Sequence, residues 1–216
     1  ETYANIPGIV KNGGAWYAAM GTEKSKGTKL VTIQGPVERI GLVEVEMGMP
    51  LRELIFGLYG GMKEGYTFKG LQTGGVSAGP LREDQLDLTV DFDSMTEAGG
   101  MLGSGGFVVF DESVCAVDFA RYLMAFNRYE SCGKCTPCRL GTPALTEILD
   151  RMRNGQARQG ELPLIERTSQ HVIELSLCGL GQVAPMPVLG MMRAFPGEFD
   201  AHINEGRCPA GVCPMD

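Results

Sequence analysis

The chain has 216 residues, 44% hydrophobic and 21% charged, with a net charge of −7. That is enough chain for one large core or two small ones. The acidic balance, without any Lys/Arg-rich run, excludes a general nucleic-acid binder, and no apolar stretch approaches the length of a membrane span. Seven cysteines without a secretory signal point to a reducing, cytoplasmic setting, where clustered cysteines serve as metal ligands. Only two histidines occur, His171 and His202, so multi-histidine zinc chemistry has little material. Glu1-Thr2-Tyr3 carries no initiator methionine, as expected of a fragment of a longer protein.

Residues 1–27 read as a helix, broken near Gly13-Gly14, with a glycine-rich exit. Lys29 to Gln34 predicts a strand. Leu42 to Met47 predicts another, because Val43, Val45 and Met47 alternate with Glu44 and Glu46. Pro50 opens a helix carrying Leu51, Leu54, Ile55 and Leu58 at i, i+3, i+4 and i+7, ended by Gly60-Gly61. Phe68 to Gln72 is a strand candidate, and Leu86, Leu88, Val90 and Phe92 alternate like a further one. The glycines at 99–106 lead into the apolar run Phe107–Phe110, read as a buried strand. Because this loop opens a strand and not a helix, it reads as a tight connection rather than a phosphate cradle.

From Ser113 the chain turns helical. Ser113 caps a helix to about Tyr129 with Val117, Ala120, Tyr122, Leu123 and Phe126 inward. Next come the cysteine loop, a helix with Thr142 as N-cap and Pro143 at its first position, a third helix over about 161–175, and a turn at 177–181. A fourth helix runs from about Pro185–Pro187 to Phe195, and 197–205 forms a further short one. The fold class is α+β: a β-grasp-like arrangement followed by four helices around a metal centre.

The chemistry sits in Glu130-Ser131-Cys132-Gly133-Lys134-Cys135-Thr136-Pro137-Cys138-Arg139. A disulfide between such near neighbours would be strained and would close almost no loop. C-x2-C-x2-C is the spacing of cubane iron–sulfur clusters, which need a fourth cysteine from elsewhere. Cys178 is that candidate: it lies in a glycine-flanked turn after the third helix, at the end of the bundle where the triplet follows the first. Zinc is the chemical rival, but three equally spaced cysteines with no second C-x2-C pair fit it poorly. Lys134 and Arg139 stand beside the ligands, where their charge would offset an anionic cluster. Cys115 reads as a small buried residue. Cys208 and Cys213 lie in a tail whose reading stays open. Four cysteine ligands leave no open coordination position, which fits electron relay rather than substrate chemistry.

The Glu130–Arg139 motif resembles that of the NADH-oxidising flavoprotein subunit of respiratory complex I and its relatives, the flavin subunits of NAD-linked formate dehydrogenases and of multisubunit, electron-bifurcating [FeFe]-hydrogenases. The resemblance extends over Glu1–Pro7, Gly13–Trp16, Gly21–Lys24, Glu44–Gly48, Met101–Gly105 and Cys178 onward. The sequence Cys178-Gly-Leu-Gly-Gln182 and the tail with Cys208 and Cys213 are more similar to the hydrogenase-type subunits. One departure is Leu140, where many relatives have glutamate.

The resemblance implies a domain order. Residues 1–19 would end a flavin/NADH domain whose remainder is absent. Residues 20–114 would form a ubiquitin-like β-grasp domain of the soluble-ligand-binding type, and 115–206 a four-helix [4Fe–4S] domain. Residues 207–216 would be a tail leading to a missing extension, with Cys208 or Cys213 in a metal site completed downstream. It implies a [4Fe–4S] cluster on Cys132, Cys135, Cys138 and Cys178. In the intact subunit it implies FMN and NAD(H), with Thr2 and Leu180 at the flavin edge. The implied activity is that of an NAD(H)-dependent oxidoreductase subunit relaying single electrons from FMN to partners. Those partners would be a small [2Fe–2S] thioredoxin-like subunit and a larger iron–sulfur or catalytic subunit; the fragment alone is expected to be inactive with NADH. The alternative is a non-redox docking module, a β-grasp with a zinc-stapled bundle.

Overall fold

A computed structural model describes residues 1–215. It divides the chain into two units, Glu1–Gly75 with Leu81–Asp111, and Val76–Pro80 with the chain from Glu112 onward.

The first unit opens with helices α1 (Thr2–Asn12) and α2 (Gly14–Ala18), separated at Gly13, whose φ of 86° lies in the region glycine favours. Strand β1 (Thr28–Gln34) pairs antiparallel with β2 (Gly41–Glu46). Strands β3 (Phe68–Gln72), β4 (Pro80–Leu81) and β5 (Gly106–Asp111) complete a sheet of order β2-β1-β5-β3-β4. β1 and β5 run parallel, and β3 runs antiparallel to β5. Val31 and Ile33 of β1 and Phe107 and Val109 of β5 point into one core with Leu51, Leu54 and Ile55. Those three come from the predicted 51–58 helix, of which Glu53–Leu58 is π-helical.

The alternation at Leu86–Phe92 does not produce a strand. Leu86 and Val90 are fully buried, whereas Phe92 is exposed. The segment makes scattered bonds to residues 48–52, Leu51 N–H to the Leu88 carbonyl and Val90 N–H to the Met49 carbonyl among them. Pro50, opposite Thr89, has no N–H to donate, which interrupts any ladder. The chain then enters α3 (Phe92–Glu97), capped by Asp91. The Asp91 carboxylate accepts from the Ser94 N–H (2.8 Å), the Ser94 hydroxyl (2.7 Å) and the Thr89 hydroxyl. Burial pushes this carboxyl up, but these donors outweigh it and hold the pKa below the usual value. Asp91→Ala is expected to destabilise the unit by about 1–2 kcal/mol. With a depressed folded pKa, the cap's stabilisation is full above the ordinary carboxylate range and disappears as pH falls through the lowered value. Urea midpoints of both proteins, measured from neutral to acid pH, should converge at the acid end.

The second unit is helical: α4 (Ala116–Glu130), α5 (Thr136–Arg153), α6 (Glu161–Leu175), α7 (Gly179–Val183), α8 (Met186–Ala194) and α9 (Pro196–Asp200), followed by the π-helical Ala201–Glu205. α4 packs on α5 and α8, and α5 also on α6. α5 and α6 approach closely where Gly141 faces Val172: a Cβ there would lie 2.1 Å from the Val172 side chain. Three expectations shift. α4 is capped not by Ser113 but by Glu198, whose carboxylate accepts the Ala116 N–H (2.8 Å). Tyr122 and Phe126 face outward, 62% and 43% exposed, while Met124 and Asn127 are buried instead. α5 begins at Thr136, six residues before the predicted N-cap, because Pro137 already supplies a proline suited to a first helical turn.

Candidate metal centres

The early start of α5 shapes the cysteine motif. Cys132 is exposed on the loop, Cys135 is the N-cap residue just before α5, and Cys138 is buried on the first turn of the helix. The 176–181 turn lies against this helix start. A Cβ built on Gly181 would lie 2.4 Å from Ser176 Oγ and 3.2 Å from Cys138 Cβ, so only glycine permits this approach. The Leu177 amide, followed by the Cys138 amide, holds the Cys135 thiol below its usual pKa. Cys178, exposed, is the N-terminal flank of α7 on that same turn. The fold thus brings Cys135 and Cys138 against the turn bearing Cys178, with Cys132 three residues before Cys135. Arg139 folds back so that its Nη1 donates to the Gly133 carbonyl (3.3 Å), and Gly133 takes a φ of 69°. Lys134 is exposed.

The surroundings suit an anionic, sulfur-rich group. Amides point at Cys135, and Ser131 Oγ lies 3.1 Å from Cys138 Sγ. Ser176 is buried, and its side chain faces the Cys135 thiol, helping to hold it below its usual pKa. Ordinarily a buried hydroxyl finds a partner.

Of the two residues assigned to a flavin edge, Thr2 is exposed on α1 of the first unit, lining a cavity with Asn5, Tyr17 and Lys29. Its neighbour Glu1 is ion-paired with Lys29 and accepts the Leu30 N–H (2.6 Å). Leu180 is half-buried on α7 of the second unit.

A second group lies elsewhere in the helical unit, and the sequence reading missed it. Cys115, His202, Cys208 and Cys213 place one donor atom each within 4.8 Å of one another. His202 Nε2 is 3.5 Å from Cys115 Sγ and 3.4 Å from Cys213 Sγ, and the two sulfurs are 3.6 Å apart. His202 Nδ1 lies 2.7 Å from the Glu198 carbonyl, which can only accept; Nδ1 therefore carries the hydrogen, and the Nε2 lone pair faces the sulfurs. A tetrahedral zinc site with Zn–S near 2.3 Å has its ligand sulfurs about 3.8 Å apart, which matches this spacing. Burial raises the Cys115 thiol pKa to about 11 and raises that of Cys213 further. Burial also opposes ionisation of Cys208, but the Cys213 and Val212 amides and the neighbouring thiols outweigh it and lower its pKa.

Cys115 is indeed a small buried residue, yet it is also a donor. The tail cysteines lie in one group with two residues upstream of them, Cys115 and His202. The available sequence signal was His202-x5-Cys208-x4-Cys213, which becomes a site only when Cys115 is brought in from 87 residues before the histidine.

Residues 118–202 match the family described as the NADH-ubiquinone oxidoreductase-F iron-sulfur binding region. Over 99% of its length the chain is 45% identical to the NADP-reducing hydrogenase subunit HndC of Solidesulfovibrio fructosivorans, covering 44% of that protein. It is 42% identical to an NADH-quinone oxidoreductase subunit of Rhizobium meliloti over 97% of the chain and 50% of the relative. Among solved structures, an NAD+-reducing [NiFe]-hydrogenase in the air-oxidised state superposes with a TM-score of 0.82 at 29% identity, over 92% of this chain and 34% of that one. The chain spans about half the length of the curated relatives it matches. Cys115, Cys208 and Cys213 fall outside the matched 118–202 segment. No helix among the described residues is long and apolar enough to cross a membrane.

Proposed function

We propose that this chain is the electron-relay portion of an NADH-oxidising flavoprotein subunit, with Cys132, Cys135, Cys138 and Cys178 holding a [4Fe–4S] cluster. One observation supports the reading: the Ser176–Gly181 turn, which bears Cys178, packs on Cys135 and Cys138. When bound, the cluster supplies one-electron chemistry at a centre with no open coordination position. The residues of the chain set its charge balance and access: amides and hydroxyls face the sulfurs, and Arg139 is tied to the Gly133 loop.

In the intact subunit, FMN reduced by NADH is the proposed electron source, with Thr2 and Leu180 at the flavin edge. The proposed acceptors are clusters of a small [2Fe–2S] subunit and of a larger iron–sulfur or catalytic subunit in a cytoplasmic complex. The parallel β1/β5 pair at the centre of a mixed sheet supports a β-grasp assignment for residues 20–114, and the packing of α4, α5, α6 and α8 supports a four-helix cluster domain over 115–206. After anaerobic reconstitution the chain should bind four irons, show a broad visible absorbance that dithionite bleaches, and give a paramagnetic signal when reduced. It should not oxidise NADH by itself. Colourless protein holding zinc in place of iron at the triplet would favour the docking-module alternative.

The Cys115–His202–Cys208–Cys213 geometry favours a second metal. We propose a structural zinc there, closed by three sulfurs and one imidazole nitrogen, that fastens the tail from Arg207 onward to the start of α4.

A further inference from the structure

Two serine hydroxyls stand at the cysteine triplet, and neither belongs to the predicted ligand set. Ser131 Oγ lies 3.1 Å from Cys138 Sγ and also accepts the Gly133 N–H at 3.3 Å. A hydroxyl has one hydrogen to give. The Gly133 amide takes one lone pair, leaving the hydrogen free to turn to sulfur. Once Cys138 is a metal-bound thiolate it has no proton of its own, so Ser131 is the donor by necessity. Ser176 is only 5% exposed, and its side chain faces the Cys135 thiol. Its neighbours are Cys138, across Gly181, and Cys135. A buried hydroxyl needs a partner, and the sulfur beside it supplies one.

We propose that Ser131 and Ser176 are positioning residues that donate O–H···S hydrogen bonds to the bound cluster and thereby raise its reduction potential. This rests on the proposed ligand set. The reduced cluster carries one more negative charge than the oxidised one, so a donor to its sulfurs stabilises the reduced form more. The electron enters the cluster with no bond formed or broken at either serine, and each hydroxyl keeps its proton. Because Ser131 is half-exposed and Ser176 buried, Ser176 should have the larger influence, through the weaker screening of its surroundings.

The test uses the full 216-residue chain, reconstituted with iron and sulfide, in redox titrations with dithionite followed by the paramagnetic signal of the reduced cluster. Iron per chain is measured in parallel. Ser176→Ala is expected to favour the oxidised form about tenfold, a shift of about −59 mV for one electron. Ser131→Ala should shift the same way by less, and Ser131→Thr should restore the potential. Should Ser176→Ala fail to bind iron, the Ser131 pair decides the matter alone. Fully loaded alanine variants at the wild-type potential would overturn the inference while leaving the cluster assignment standing. A wild-type chain that forms no reducible cluster would overturn both.

Discussion

Cys178→Ser should remove the [4Fe–4S] cluster and spare the zinc, while Cys208→Ser should do the reverse. The two proposed groups draw on different cysteines, the cluster on Cys132, Cys135, Cys138 and Cys178, the zinc on Cys115, Cys208 and Cys213 with His202. Removing even an outer-shell partner of a metal costs roughly 10- to 100-fold in affinity. Removing a thiolate ligand should exceed that, so intact cluster content in Cys178→Ser should fall to a small fraction of wild type. Serine keeps the volume, and Cys178 is exposed, so the fold should survive. Cys208→Ser and Cys115→Ser should keep four irons and the visible absorbance but lose zinc. Elemental analysis of all three variants, purified anaerobically, gives iron and zinc per chain in one measurement. Equal iron in Cys178→Ser and wild type would remove Cys178 from the cluster. Loss of iron in Cys115→Ser would show that the centres are not separate.

That crossed pattern also marks what the sequence could and could not disclose. The Cys132–Cys138 triplet stands out in the sequence because all its information is local: C-x2-C-x2-C is the spacing of cubane iron–sulfur ligands. β1, β2, β3 and β5 were legible for a similar reason, since alternation or a short apolar run maps directly onto the faces of a strand. Failures came where distant residues decide. Leu86–Phe92 alternates, but Pro50 across from it denies a ladder. Ser113 is a plausible cap by local rules, yet Glu198, 82 residues from Ala116, takes the amide. Thr142-Pro143 imitates a helix start; the helix was already under way, and the Thr142 hydroxyl simply donates back to the Cys138 carbonyl (2.9 Å). Tyr122 and Phe126 share helical spacing with the buried face without being on it. Cys115 is the clearest case. An isolated apolar cysteine carries no spacing, and its role emerges only when the chain returns with His202 and the tail.

Zinc removal should therefore loosen the helical unit substantially. The site joins Cys115 to Cys213 across 98 positions and to His202 across 87. In the chain-entropy treatment of cross-links, closing a loop of that size is worth about 4–5 kcal/mol. Native domains are stable by only about 5–15 kcal/mol in total, so the loss is a large part of what holds the unit folded. Chelation at neutral pH should lower the melting temperature of the helical signal by well over about 10 °C, and added zinc should restore it. Acid should act in the same direction. The Cys115 thiol, raised to about 11, and the Cys213 thiol, raised further, both hold protons at neutral pH that zinc must displace. With at least these two protons released per zinc, apparent affinity should fall by roughly 100-fold or more for each pH unit lowered. Cys115→Ser, having no metal to lose, should melt at the chelated temperature at every pH. A melting temperature indifferent to chelator, and equal in Cys115→Ser and wild type, would mean that these four side chains pack against one another without a metal.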